Sequence, residues 1–81
     1  MAYTRFNCRS TSTKMVIDAK NSKDAAQEFV DAMMKGLYKV KLKKCSTREM
    51  HKFPDTTITV TKVSDPDKEE YFQYTSMIPK F

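Results

Sequence analysis

Asn21-Ser22-Lys23-Asp24-Ala25-Ala26-Gln27-Glu28-Phe29-Val30-Asp31-Ala32-Met33-Met34-Lys35-Gly36 is the stretch that decides the fold. Ala26, Phe29, Val30, Met33 and Leu37 recur at i, i+3, i+4, i+7 and i+11, with Ala25 and Ala32 beside them, which makes one apolar stripe on a helix. Asn21 and Ser22 are suited to cap its first turn, because their side-chain oxygens accept from amides that have no partner inside the helix. Gly36 is suited to stop it. Asp24, Glu28 and Asp31 fall on the opposite face, in the half where negative charge complements the helix dipole. The helix is expected from about Ser22 to Lys35.

On both sides of this stretch the spacing switches from helical to alternating, the mark of half-buried strands. Before it, Tyr3 to Ser10 turns Phe6 and Cys8 to one side, Ser10-Thr11-Ser12 supplies turn residues, and Lys14 to Ala19 aligns Met15, Ile17 and Ala19. These read as a hairpin. After it, Leu37 to Lys44 sets Tyr38, Val40 and Leu42 inward and Lys39, Lys41 and Lys43 outward. Ser46-Thr47-Arg48-Glu49 has the form of a capping box, so a short helix is expected there, anchored by Met50 and Phe53 and ended by Pro54. Thr56 to Val63 is a fourth strand with Ile58 and Val60 inward. Ser64-Asp65-Pro66-Asp67 is turn chemistry, and Glu70 to Met77 is a fifth strand carrying Tyr71, Phe72 and Tyr74.

The reading is a single α+β domain over residues 1–81, in the order β-β-α-β-(short α)-β-β, with one main helix packed on one face of an antiparallel-rich sheet. A right-handed crossover places the third strand beside the first and antiparallel to it. No second long helix covers the other face, so part of that face is expected to stay open.

Eighty-one residues leave room for one core, and 40% hydrophobic residues with nine aromatics are enough to fill it. No stretch reaches the roughly 18 apolar residues of a membrane span, and Met1 to Arg9 lacks the apolar run of a signal peptide. A soluble, cytoplasmic protein is expected. The net charge is +5, but it is uneven: residues 1–44 hold ten Lys or Arg against four Asp or Glu, and residues 45–81 hold five against six.

Strand parity gathers that excess on the open face. Tyr3, Arg5, Asn7 and Arg9 come from the first strand, Lys14 from the second, and Lys39, Lys41 and Lys43 from the third. Six cations on one face form a docking surface for phosphates or for an acidic protein patch. They also read as a solvated face whose lysines protect a sheet edge. Sheet-face RNA readers add aromatic platforms for stacking, and Tyr3 alone is placed to serve as one. The loop residues Arg48, His51 and Lys52 form an alternative site, since loops on a rigid scaffold often carry recognition.

Catalysis and cofactors find little to work with. Cys8, Cys45 and His51 are three soft ligands where a structural zinc site takes four, and alternation turns Cys8 inward and Cys45 outward. Cys45 with His51 lacks an orienting third group. Asp65, Asp67, Glu69 and Glu70 lack the spacing and central glycine of a calcium loop. No metal, no cofactor and no catalysis are expected.

The hairpin, the helix opening Asn21-Ser22-Lys23-Asp24-Ala25-Ala26, and the strand resuming at Gly36-Leu37-Tyr38-Lys39-Val40 together resemble small bacteriophage accessory proteins. These include inhibitors of bacterial RNA polymerase and anti-CRISPR proteins, and the likeness is one of layout over residues 3–44. It implies a non-enzymatic protein, monomeric or a small homo-oligomer, that acts in the host cytoplasm. Such a protein would bind a host protein or complex and block or redirect transcription or antiviral defence, with no part in a membrane. Inhibitors of this type present an acidic surface to a positively charged groove, and the basic face of this chain departs from that. No functional residues carry over. The partner implied by the charge is a host protein with an acidic surface. The alternative is nucleic acid held by its phosphate backbone.

Overall fold

The computed structural model describes residues 2–80. Its elements are β1 (Thr4–Arg9), β2 (Lys14–Ala19), α1 (Ser22–Met33), β3 (Tyr38–Cys45), α2 (Thr47–Lys52), a 3-10 turn (Pro54–Thr56), β4 (Thr57–Lys62) and β5 (Asp65–Pro79). The five strands form one sheet in the order β2-β1-β4-β5-β3, and every neighbouring pair is antiparallel. The α+β class and the element order agree with the sequence reading.

The placement of β3 does not. It was expected beside β1, but β4 and β5 lie between them and β3 forms the far edge. The crossover rule fixes the hand of a connection and says nothing about how many strands it steps over. Here α1 spans the sheet and packs against all five strands. The β4–β5 hairpin takes the centre because Thr57-Ile58-Thr59-Val60 is buried on both faces, a setting that suits β-branched side chains.

Phe29, Val30, Ala25 and Ala26 of α1 are fully buried against Phe6 and Cys8 of β1, Val40 and Leu42 of β3, Ile58 and Val60 of β4, and Phe72 of β5. Asn21 caps the helix, its Oδ1 accepting from the Asp24 amide at 2.8 Å. At the other end Lys35 and Gly36 take positive φ values of 55° and 74°. The Gly36 amide donates to Asp31 O and the Lys35 amide to Ala32 O, both at 3.3 Å, which closes the helix with a Schellman-type reversal. Leu37 lies beyond that reversal and so leaves the apolar stripe that its spacing predicted. It is half exposed.

β5 starts earlier than expected. The turn is Val63–Ser64, and Asp65 already pairs with Lys62, while Thr61 pairs with Glu69. Pro66, Asp67 and Lys68 are therefore a bulge in the strand. Proline is tolerated at such a point because no ladder amide is needed. Among the described residues no helix is long and apolar enough to cross a membrane.

Candidate functional site

The face opposite α1 is organised by register. Lys14, Arg9, Thr59, Tyr71 and Cys45 stand in one row across all five strands. The next row toward the end of β5 holds Lys43, Gln73 and Thr57, followed by Lys41 with Ser76 and Lys39 with Ile78. Residues Arg5, Asn7 and Arg9 point to this face and are exposed, as their alternation predicts.

Two of the expected cations are neutralised. Arg5 Nε donates to Asp18 Oδ1 at 3.0 Å, a bond that raises the pKa of the guanidinium further. Arg9 Nη2 donates to Glu69 Oε2 at 3.4 Å. Glu69 also accepts from the Tyr71 hydroxyl at 3.1 Å, and burial together with this carboxylate raises the phenol pKa. Asn7 lines a shallow groove of about 530 Å³ with Arg9, Lys14, Val16 and Glu69. Tyr3 precedes β1 and lines a different cleft with Lys20, Asp24 and Gln27 at the helix edge, away from the centre of the face to which it was assigned.

Lys39, Lys41 and Lys43 are exposed on β3, three strand spacings or roughly 14 Å across the sheet from β1. They make no ion pair among the described residues. The single convergent patch of six cations is thus divided in two, because β4 and β5 separate its halves.

The centre of the face is also less open than expected. The chain leaves β3 at Cys45, Ser46 caps α2 by accepting from the Glu49 amide at 3.3 Å, and α2 folds back over β4 and β5. Gln73 Nε2 donates to Glu49 O at 2.9 Å and to Thr57 Oγ1 at 3.3 Å, and Thr57 Oγ1 donates to Phe53 O at 2.6 Å. These bonds hold α2 down and leave Thr57 and Thr59 buried. Met50 is half-buried, whereas Phe53, expected as a second anchor, is 51% exposed with Lys52 Nζ 5.5 Å above its ring.

Because Glu49 and Met50 face the sheet, Arg48, His51 and Lys52 form the solvent stripe of α2, at i, i+3 and i+4. They lie on the same side of the molecule as Lys39, Lys41 and Lys43. The two sites that the sequence set up as rivals therefore share one side of the molecule, α2 being held there by Gln73, the strand partner of Lys43. Asp24, Glu28 and Asp31 are exposed on α1, on the opposite side.

The two cysteines separate as alternation predicts. Cys8 is buried, its thiol donating to Ala25 O at 3.7 Å, and burial followed by the field of Glu28 pushes its pKa up to about 11. Cys45 is half-buried on the α2 side, and its pKa is raised by burial and by Glu49, against a lowering by Lys43. Among the described residues no group of three or more His, Cys, Asp or Glu is placed to hold a metal ion.

The carboxylates that quench β1 were missed from sequence. Asp18 was within reach: the Ser10 amide donates to Thr13 O, and a turn closed there sets Arg9 opposite Lys14 and hence Arg5 opposite Asp18. Glu69 had no such local signal, since its position depends on where β4 and β5 insert. No family model, no curated protein and no solved structure matches this chain.

Proposed function

We propose that this protein is a non-enzymatic binding protein that docks on an acidic surface of a host protein or protein complex. The observation that carries this reading is the unquenched basic surface formed by Lys39, Lys41 and Lys43 with the Arg48, His51 and Lys52 stripe. A surface of this kind steers an anionic partner and selects against cationic ones. The layout resemblance to small bacteriophage accessory proteins supports a role in the host cytoplasm, where occupancy of a transcription or defence complex would change its activity. On this reading the lysines select the partner and the α2 stripe widens the contact.

The alternative is the phosphate backbone of a nucleic acid. It is favoured by one feature, the spacing of about 7 Å between alternate lysines on a strand, which is close to that of successive phosphates. Capture from a nuclease-treated bacterial lysate, with the Lys39→Glu, Lys41→Glu, Lys43→Glu variant as control, separates the two. A protein retained at moderate salt by the wild type and released by the variant is the expected result. Capture that vanishes with nuclease, together with affinity falling linearly in log salt for an added DNA duplex, would replace the protein reading with the nucleic-acid one.

A further inference from the structure

β5 runs further than β4 accompanies it. Pairing with β4 stops at Gln73–Thr57, while pairing with β3 continues to Pro79–Tyr38. The chain before Thr57 turns aside as the 3-10 segment Pro54–Thr56. Among the described residues Thr75–Pro79 therefore has a strand neighbour on one side only. The Lys80 amide donates to Leu37 O on the β3 side, and antiparallel ladders alternate, so the amide and carbonyl of Met77 face the vacant side. Pro79 offers a carbonyl there and no amide.

The surroundings of this edge are apolar and basic. Ile78 is 55% and Met77 42% exposed, and half-exposed Phe53 sits at the start of the 3-10 turn. Lys39 and Lys41 stand across β5, opposite Ile78 and Ser76. Ser76 Oγ is the one buried side-chain oxygen among the described residues that lacks a hydrogen-bond partner.

We propose that Thr75–Pro79 is a strand-addition site for an extended acidic segment of a partner protein. The added strand would extend the line of β4, its backbone bonding to Met77, its apolar residues meeting the Met77 side chain on the helix side of the sheet, and its carboxylates answering Lys39 and Lys41 on the other face, beside Ile78. Strand addition draws affinity from main-chain bonds and specificity from alternate side chains. At two strand spacings, roughly 10 Å, long Lys and Glu side chains can meet over Ser76.

Charge selects this occupant over a second copy of the chain, which would bring two sets of Lys39, Lys41 and Lys80 together. The outer edge of β3 is less available, because Gln27 Nε2 of α1 already donates to Val40 O there at 3.1 Å. The proposal rests on the basic-surface reading above and specifies its partner.

The test uses a synthetic peptide of five Glu-Val repeats and a copy methylated at its backbone nitrogens, which keeps the side chains and removes the donors. Titration calorimetry with amide exchange by NMR should show that the parent peptide binds and protects the Met77 amide. The methylated copy should bind at least about tenfold more weakly, since main-chain bonds carry the affinity. Met77→Pro, which removes an amide unused within the fold, should lose binding while Met77→Leu retains it. The double variant Lys39→Glu, Lys41→Glu should lose it too.

Absence of binding at millimolar peptide overturns the proposal. So does equal binding of the methylated copy, and if that binding is lost in the lysine variant the basic-surface reading stands alone. If the lysine variant binds the parent peptide undiminished, the acidic occupant and the basic-surface reading fail together. If an oligonucleotide binds the lysines and neither peptide does, the occupant is nucleic acid and strand addition is refuted.

Discussion

Arg5 and Arg9 on β1 and Lys39, Lys41 and Lys43 on β3 obey the same alternation and point to the same side of the sheet. They differ in what stands next to them. β1 is flanked by β2 and β4, and Asp18 and Glu69 come within bonding distance of its arginines. β3 is an edge whose one strand neighbour among the described residues offers Gln73, Ser76 and Ile78 at the lysine positions, so its charge is left for something else. Alternation decides the face on which a side chain stands, and strand order decides whether its charge is used up. For a basic protein this small, the location of unpaired cations says more about function than the net charge.

The comparison rests first on the core that both regions share. Phe29→Ala should cost roughly 3 to 5 kcal/mol, because Phe29 is fully buried beneath the sheet. Urea unfolding measures that loss, and amide exchange should report it from β1 and β3 alike. Exchange that accelerates in one region alone would mean that the two are held by separate cores.

A smaller effect sharpens the β1 side. The thiol of Cys8 is held protonated in the fold, with its pKa pushed from 9.0 up to about 11. At neutral pH both states carry the proton, so there is no effect. Above about pH 9 the unfolded chain releases it while the folded chain does not, and stability falls as pH rises toward 11, by up to roughly 3 kcal/mol. Cys8→Ala should flatten that fall in a series of urea melts at increasing pH, whereas Cys45→Ala should alter it less.

Next comes the contrast in charge itself. Changing Lys39, Lys41 and Lys43 to Glu should leave the melting temperature nearly unchanged and weaken partner binding by about tenfold or more. Arg5→Ala with Arg9→Ala should weaken it little, since those side chains are already engaged. Equal losses from both variants, measured by calorimetry, would erase the distinction between the regions. The smallest expected effect belongs to Asp18→Asn, which frees Arg5. Thermal melts should not move, because exposed ion pairs contribute little, but a modest gain in affinity at low salt should follow if a second unpaired cation near β1 can reach the partner.

Much of this was legible from sequence wherever the cause was local. The stripe from Ala26 to Met33, the Asn21 and Ser46 caps and the inward set Phe6, Val40, Ile58 and Phe72 depend on neighbours within a few residues or on period alone. The position of β3 was not legible, because stepping over one strand or three gives the same alternation in Leu37 to Lys44. The division of the basic patch followed from that. Bulges were hidden for a related reason: Asp65-Pro66-Asp67 carries the composition of a turn, and only the pairing of Glu69 with Thr61 shows that the strand absorbs it. The unity of the β3 lysines with the Arg48 stripe required knowing that α2 folds back over the sheet.

The position of β3 also bears on how the chain reaches its fold. Among the described residues β3 pairs with β5 alone, and β5 is made after α2 and β4. A stretch holding Val40, Leu42 and four lysines must wait until Tyr71, the partner of Cys45, has been made before its ladder can begin to close. Such long-range closure makes for slow folding, and a waiting strand is open to mispairing. Lys39, Lys41 and Lys43, exposed on β3, are suited to act as charged gatekeepers during that interval, keeping unfinished chains apart by repulsion.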